Sequence, residues 1–258
     1  MPRAPRTESL DRSAALIQRL VDAYGGARAW QASQAVTAVA SVWGALPLWK
    51  FGGPCWRLPI TVAVHRPYAR IARIDPAHPD RVGVLDGGES RIEDGAGHVL
   101  ERREHVRASF AAPGRHLLRW DLLERIYFLG YAGWNYLTLP AQLLRKDIEW
   151  KKLAPDVLEA VFPEHLPVHG RVQRFMIDPE TGLLRRLDYT AEIVGNWARA
   201  AHMIDSHENR GGVIWPYERT VFLRDAHDRP RRIAPVIRVR LENCALLPTV
   251  PGPASGGR

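Results

Sequence analysis

The chain has 258 residues, of which 46% are hydrophobic and 25% are charged, fractions that are typical of globular proteins. They exclude a disordered, collagen-like or coiled-coil chain, and no apolar run is long enough to span a membrane. The formal net charge is +8, but the basic residues are scattered and interrupted by acids. Because no nucleic-acid-binding signature accompanies this charge, we expect no nucleic-acid partner.

The first half of the chain begins as helix and changes to strand. Apolar residues at helical spacing predict an amphipathic helix over 7–24, ended by Gly25 and Gly26, and a short helical turn over 27–31. Alternation of apolar and polar residues predicts a strand from Ala35 onwards. Further strands are predicted at 58–65, 70–74, 82–85, 90–93 and 98–102, the last three joined by Asp-Gly turns as in a β-meander.

The middle of the chain differs from both halves because leucines return at helical spacing. A helical hairpin or helix–loop–helix is predicted over 115–145, broken at Gly130, Gly133 and Pro140. This segment is unusually rich in aromatic residues: Trp120, Tyr127, Phe128, Tyr131, Trp134 and Tyr136.

The second half consists of predicted strands in hairpin order, and it ends in a tail rich in Pro, Gly and Ser. The strands are predicted at 147–153, 157–161, 171–177, 184–194, 201–207, 214–224 and 236–244, and the tail over 248–258 is expected to be disordered. The whole pattern predicts a mainly β protein with α elements. A single curved antiparallel sheet of about ten strands, a half-barrel, wraps around the N-terminal helix and the central helical segment. We expect one domain over 1–247, with 115–146 as a helical insertion.

This order of elements resembles the lipoprotein-carrier (LolA/LolB-like) fold, a curved half-barrel that covers helices. The resemblance covers most of 12–246 and rests on Tyr24-Gly25-Gly26, Trp30, the segment 127–140, Gln173, the segment 182–189, His202 and the segment 216–219. A violacein-biosynthesis protein of similar fold is an enzyme, so the resemblance is compatible with either binding or catalysis. The N-terminus shows no secretory signal and no lipid-attachment cysteine, and we therefore expect a cytoplasmic branch of this fold.

Four residues of the second half are candidates for acid–base chemistry. By strand alternation, Tyr189 faces one side of its strand and Asp188 the other. His202 lies on a predicted strand and is either an uncharged core histidine or, if Asp188 or Tyr189 lies beside it, part of a catalytic unit. Arg219 either pairs with a ligand carboxylate or neutralises an acid across the sheet, and Tyr217 is predicted on the same face.

The aromatic helical segment supplies the candidates for ligand binding. Large amphipathic rings suit the wall of an apolar cavity, although the same rings equally suit a helix that fills the core. The candidates are Trp120, Tyr131, Trp134 and Tyr136, with Asn135 as a polar group among them. A second aromatic group, formed by Trp49, Phe51 and Trp56, is interpreted as a lid over the cavity or as a tip that touches a membrane.

Metal and nucleotide chemistry find no support in the sequence. The pair His165 and His169 lies between prolines, and the pair His202 and His207 points to opposite faces of a strand, so neither converges on a metal. Nucleophile-elbow, dinucleotide and phosphate-loop motifs are absent, and we expect no cofactor. The two cysteines of the chain have neither disulfide nor zinc spacing.

Three functions stay open on the sequence. The first is a soluble protein that binds a hydrophobic or aromatic small molecule between sheet and helices. The second is a cofactor-free enzyme, of the isomerase or cyclase kind, that uses the same cavity. The third is a peripheral membrane or protein-interaction module, which makes transient membrane contact without stable insertion. The sequence gives no oligomeric state.

Overall fold

The computed structural model describes residues 5–111, 114 and 117–251, with side chains from residue 13 onwards. Most of the predicted disordered tail, residues 252–258, and the first two residues of the predicted helical segment, Arg115 and His116, lie outside the described residues. The helices are α1 (Pro5–Ala23), α2 (Ala27–Ala32), α3 (Val106–Ser109), α4 (Leu122–Leu137) and α5 (Leu139–Leu143), and a π-helical turn spans Pro47–Phe51.

The strands form one antiparallel sheet. They are β1 (Ala35–Trp43), β2 (Cys55–Ala63), β3 (Tyr68–Ala72), β4 (Val82–Asp86), β5 (Glu89–Glu93), β6 (Val99–Arg103), β7 (Glu149–Ala154), β8 (Val157–Val161), β9 (Val172–Ile177), β10 (Leu184–Thr190), β11 (Arg199–Arg210), β12 (Val213–Leu223) and β13 (Ile237–Leu247). Their order in the sheet is β6-β5-β4-β3-β2-β1-β13-β12-β11-β10-β9-β8-β7. The sheet is open, with β6 and β7 at its edges, and the β1–β13 pairing joins its two halves.

The predicted fold class, a single antiparallel sheet with a few helices, is confirmed. Each predicted strand corresponds to one strand of the sheet, but the described residues form thirteen strands rather than about ten. The largest difference in length is in β10, which ends at Thr190 instead of Val194 because the chain turns there, with the Val194 N–H donating to the Ala191 carbonyl over 2.8 Å.

Helix α4 is continuous, whereas breaks were predicted at Gly130 and Gly133. A capping box begins the helix, because Asp121 accepts from the Glu124 N–H and Glu124 accepts from the Asp121 N–H, each over 2.9 Å. The two glycines allow close packing and do not end the helix. A Cβ atom on Gly130 would lie 2.7 Å from the Leu85 Cβ, so β4 approaches the helix backbone directly.

The sheet curves around α4, and this curvature creates the interior of the molecule. One side of α4 packs on β2, β3, β4 and β5. At its C-terminal end, Tyr136 reaches the opposite half of the sheet, where it contacts Tyr189 of β10 and Arg219 of β12. A single helix therefore touches both halves of the sheet, and its residues between Leu123 and Leu137 are mostly buried in the main apolar core.

Candidate functional site

Five buried polar residues meet where the end of α4 faces β10, β11 and β12. We call them the polar cluster: Tyr136, His169, Tyr189, His202 and Arg219. Tyr136 is at its centre, since its hydroxyl donates to the Tyr189 hydroxyl over 2.9 Å and the His202 ring meets its ring edge-on at 4.5 Å. The Arg219 guanidinium lies 4.8 Å from the Tyr136 ring centroid and donates to the Tyr136 carbonyl over 3.2 Å.

His169 completes the polar cluster from the loop before β9. Its ring stacks on Tyr189, with centroids 4.3 Å apart and planes 7° from parallel. Its Nδ1 lies 3.0 Å from the hydroxyl of Tyr131, one turn earlier on α4 than Tyr136. The loop is fixed from the helix as well, because the Asn135 amide donates to the Tyr131 carbonyl over 2.8 Å and to the Pro167 carbonyl over 3.0 Å.

Both histidines of the polar cluster are neutral at physiological pH. Burial, with a further contribution from the Arg107 charge, lowers the pKa of His169 to about 3. Burial and the charges of Arg219 and His169 lower the pKa of His202 well below its ordinary value. Burial likewise raises the pKa values of Tyr136 and Tyr189, so both phenols stay protonated. Arg219 is therefore the one charged member of the polar cluster.

Several polar atoms of the polar cluster have no hydrogen-bond partner among the described residues. They are both ring nitrogens of His202, the Nε2 of His169 and the Nε of Arg219. Only 1% of His202 and 4% of Arg219 is exposed, so bulk water does not satisfy these atoms. Buried polar groups are normally paired, and unpaired ones in a native fold point to a strained or a functional site.

An inner cavity of about 70 Å³ adjoins the polar cluster. All five members of the polar cluster line it, and the other walls are apolar side chains from β1, β2, β3, α4, β12 and β13: Ala40, Val42, Leu58, Ile60, Ile71, Phe128, Leu129, Ala132, Leu137, Val221, Ile237, Val239 and Leu241, with Gly133 among them. The polar groups are thus gathered at one part of an otherwise apolar space.

An outer cavity of about 310 Å³ lies next to the inner one. The two share Phe128, His169, Tyr189, Val221 and Ile237 as a common wall. The rest of the outer cavity's lining is apolar and comes from the π-helical turn and the two residues before it, from the segment between β10 and β11, and from β11, β12 and the loop before β13: Ala45, Leu46, Trp49, Ala191, Val194, Trp197, Ala198, Ala200, Leu223 and Val236.

Two exposed tryptophans mark where the outer cavity meets solvent. Trp49 is 49% exposed and Trp197 is 61% exposed, although both line the cavity. Trp49 is held by Lys50, whose ammonium lies 3.7 Å from its ring centroid. The outer cavity therefore lies between the exposed Trp49 and Trp197 and the inner cavity, which is lined by the buried polar cluster.

No family profile and no curated protein matches this sequence. Two solved structures share its architecture over nearly the whole chain. A LolA superfamily protein from Nitrosomonas europaea superposes with a TM-score of 0.51 at 10% identity, covering 93% of this chain and 94% of its own. A DUF1329 family protein from Desulfovibrio piger superposes with a TM-score of 0.50 at 12% identity, covering 91% of this chain and 92% of its own. The chain has a LolA-like fold.

The LolA-like fold confirms the predicted architecture, and its curvature explains why residues distant in sequence meet in one site. Tyr189, His202 and Arg219, which were predicted as one group, come together because cross-strand neighbours share a face of the sheet. His202 lies opposite Leu187 on β10 and Val221 on β12, all on the concave side.

Asp188 is not part of the polar cluster, which corrects its predicted place beside His202. It lies on the convex side of the sheet, because successive residues of β10 point to opposite faces and Tyr189 faces the cavity. Its carboxylate is bound by Arg186, with contacts of 2.7 and 2.8 Å, and by Arg224 at 3.3 Å. Asp188 is thus engaged in a buried ion-pair network and does not orient His202.

Tyr217 is also separated from Arg219, although the two were predicted on one face. Between the paired positions Pro216 and Glu218, β12 carries one residue more than β11, and this bulge holds Tyr217. Tyr217 lines neither cavity, and its ring centroid lies 5.9 Å from the Arg240 guanidinium carbon.

The aromatic residues predicted to bind a ligand divide into two groups. Tyr136 lines the inner cavity, whereas Trp120, Tyr131 and Trp134 are buried and line neither cavity. Trp120 packs on Phe128 with centroids 5.0 Å apart. These three rings therefore fill the core, which was the alternative interpretation of the pattern.

The aromatic group of Trp49, Phe51 and Trp56, interpreted from the sequence as a lid or as a membrane-touching tip, is mostly buried. Phe51 is 1% exposed and Trp56 is 8% exposed, and their centroids lie 6.2 Å apart. Of the three tryptophan and phenylalanine residues in that prediction, only Trp49 reaches solvent.

Sequence reasoning missed two residues of the site. His169 was weighed only as one half of a metal pair, and its position between Pro167 and Gly170 was the available signal that the histidine sits in a fixed loop. Trp197 lies in a turn and belongs to no periodic pattern. Among the described residues no group of three or more His, Cys, Asp or Glu side chains converges on a metal site, and both cysteines are free. No helix in the described part of the chain is long and apolar enough to cross a membrane.

Proposed function

We propose that this protein binds an elongated, largely apolar small molecule in the inner and outer cavities between the sheet and α4. The observation that carries the proposal is the pair of adjoining apolar cavities with a mouth at Trp49 and Trp197 and a buried polar end. Ligand sites in proteins are usually concave and apolar with a few convergent polar groups, and this arrangement has the same character.

Filling the outer cavity tests the proposal. Ala200 is buried and lines that cavity, so Ala200→Phe is expected to occupy the space a ligand needs. The probe is the fluorescent apolar amine N-phenyl-1-naphthylamine, titrated into the purified protein. We expect saturable binding to the natural chain and at least ten-fold weaker binding to Ala200→Phe.

Two further variants distinguish a filled cavity from a misfolded protein. Ala191→Phe fills the same cavity from its partly exposed wall, and Ala96→Phe places the same ring on an exposed turn as the matched control. The control is expected to bind the probe as the natural chain does. Absence of saturable probe binding to the natural chain, or unchanged binding after both cavity substitutions, contradicts the proposal.

Catalysis in the same cavity is a second candidate, favoured by one observation: His202 lines the cavity, and neither of its ring nitrogens has a hydrogen-bond partner among the described residues. A neutral imidazole there offers an acceptor nitrogen to a bound substrate, although its lowered pKa makes it a weak base. The test is His202→Gln. Loss of turnover of a bound metabolite with binding kept supports an enzyme, and equal behaviour of both chains supports a binding protein. The cytoplasmic location stays a prediction.

A further inference from the structure

Arg219 is a buried cation without a counter-ion among the described residues. It is 4% exposed, and it appears in no ion pair with Asp or Glu of the described chain. Its neighbours are the neutral groups Tyr24, Tyr136, Tyr189 and Cys244, and burial lowers its pKa below the ordinary value. A buried charge without a counter-ion is costly, and within the fold Arg219 is offset only by its hydrogen bond to the Tyr136 carbonyl and its contact with the Tyr136 ring.

Arg219, His202 and Tyr189 all line the inner cavity. The Nε of Arg219 and both ring nitrogens of His202 have no hydrogen-bond partner in the part of the chain that the structure describes, and the two side chains contact the same ring, that of Tyr136. The Tyr189 hydroxyl accepts from Tyr136, which leaves its own hydrogen for another acceptor. These groups line the same cavity and offer several donors to one acceptor group.

The net charge of the polar cluster restricts the charge of the acceptor group that binds there. His169 and His202 are neutral, so the polar cluster carries one positive charge. A single negative charge neutralises it, whereas a dianionic phosphate would leave a net buried charge. The inner cavity of about 70 Å³ also suits a small planar group, since one water needs roughly 10–15 Å³ on this measure.

We propose that the ligand is a monocarboxylate with an apolar tail, its carboxylate held by Arg219 and His202 and its tail running through the outer cavity towards Trp49 and Trp197. This inference rests on the proposed binding function and adds the chemical class of the ligand. Arginine binds carboxylates with paired N–H donors, and the unpartnered Nε of Arg219 supplies one of the two that such a contact requires.

The test compares three ligands of equal chain length: dodecanoate, dodecanol and dodecyl phosphate. Each displaces N-phenyl-1-naphthylamine from the natural chain, from Arg219→Met and from the control Arg240→Met, which removes an exposed arginine of β13. We expect the natural chain and the control to bind dodecanoate at least ten-fold more tightly than dodecanol. Arg219→Met is expected to lose that preference and to bind dodecanoate no more tightly than dodecanol.

The outcomes separate this inference from the function on which it rests. Equal affinity of the natural chain for dodecanoate and dodecanol overturns the carboxylate assignment and leaves the binding function standing. Tighter binding of dodecyl phosphate than of dodecanoate also overturns it. Failure of the probe and of all three ligands to bind contradicts the binding function itself. If Arg219→Met does not fold, Arg219→Gln takes its place, and the comparison of ligands on the natural chain decides the inference without any variant.

Discussion

Arg219 shows how one residue can be unfavourable for stability and favourable for binding. Its guanidinium is buried beside tyrosines, with one hydrogen bond to the Tyr136 carbonyl and no carboxylate partner in the described chain. Arg224, the residue that follows β12, is the opposite case, because its guanidinium pairs with the buried carboxylate of Asp188 at 3.3 Å. The two arginines should therefore respond differently to the same substitution.

Replacing Arg219 with Met is expected to stabilise the ligand-free protein by about 1 kcal/mol or more, because an unpaired buried charge gives way to apolar packing. Arg224→Met is expected to destabilise it by about 1–3 kcal/mol, because Asp188 keeps only Arg186 as its partner. Urea denaturation at pH 7 measures both changes. A clear loss of stability in Arg219→Met would show that this arginine is structural.

The lowered pKa of His169 predicts that the folded protein loses stability at acidic pH. That pKa is about 3 in the folded protein against 6.5 for an unperturbed histidine, so between these values only the unfolded chain binds the proton. The free energy of unfolding therefore falls as the pH drops from about 6.5 towards 3, at up to about 1.4 kcal/mol per pH unit for this group.

The variant His169→Gln isolates this contribution because it cannot titrate. Between pH 7 and pH 5 the natural chain is expected to lose about 2 kcal/mol more stability than the variant. His202 titrates in both proteins, so its contribution cancels in the difference. Urea midpoints at the two pH values give the measurement, and equal losses in the two chains would show that His169 is protonated in the folded state.

Helix α4 contacts both halves of the sheet in the interior of the molecule, and its two glycines pack against different kinds of neighbour. A Cβ atom on Gly130 meets the Leu85 Cβ, which is fixed to the backbone of β4. A Cβ atom on Gly133 lies 2.5 Å from the Ile60 Cδ1, the free end of a side chain that lines the inner cavity. The first contact cannot relax cheaply, whereas the second relaxes by moving Ile60.

We accordingly expect Gly130→Ala to destabilise the protein by about 1–2 kcal/mol, even though Ala favours a helix by about 1 kcal/mol. Gly133→Ala is expected to change stability by less than about 1 kcal/mol and to weaken N-phenyl-1-naphthylamine binding several-fold, as Ile60 shifts into the inner cavity. Gly88→Ala, where a Cβ meets nothing within 4 Å, is the control. The reverse order of destabilisation would contradict this account of α4.

The local sequence pattern predicted the positions of the helices and strands well, but it predicted poorly which of their residues come into contact. Alternation and turn residues together predicted a strand at each place where the structure has one, and strand parity placed Tyr189 on the face opposite Asp188, as the structure has it. The glycines of α4 were interpreted as breaks because a sequence does not reveal which strand will approach the helix. A bulge in β12 separates Tyr217 from Arg219, and a loop held by Asn135 places His169 in the site. Neither a bulge nor a loop leaves a periodic pattern in the sequence.

At the scale of the molecule, the sheet is one continuous layer whose two halves are joined by the β1–β13 pairing, and α4 contacts both halves. The lining of the inner cavity comes from strands in both halves and from the helix between them. The edge strands β6 and β7 line neither cavity. A ligand in this space would therefore couple the middle of the sheet to α4 and leave the edges largely unaffected.

Binding of dodecanoate is expected to stabilise the protein by about 2.7 kcal/mol when its concentration is 100 times its dissociation constant. Because only openings that disrupt the cavities are suppressed, amide hydrogen exchange should slow in α4, β1, β11 and β12 and stay nearly unchanged in β6 and in β7. Hydrogen exchange followed by mass spectrometry, with and without dodecanoate, measures this protection. The same measurement on Arg219→Met with and without dodecanol shows the protection that a ligand gives without a carboxylate. Protection spread evenly over the edge strands, or confined to the exposed tryptophans at the mouth, would place the ligand outside the two cavities.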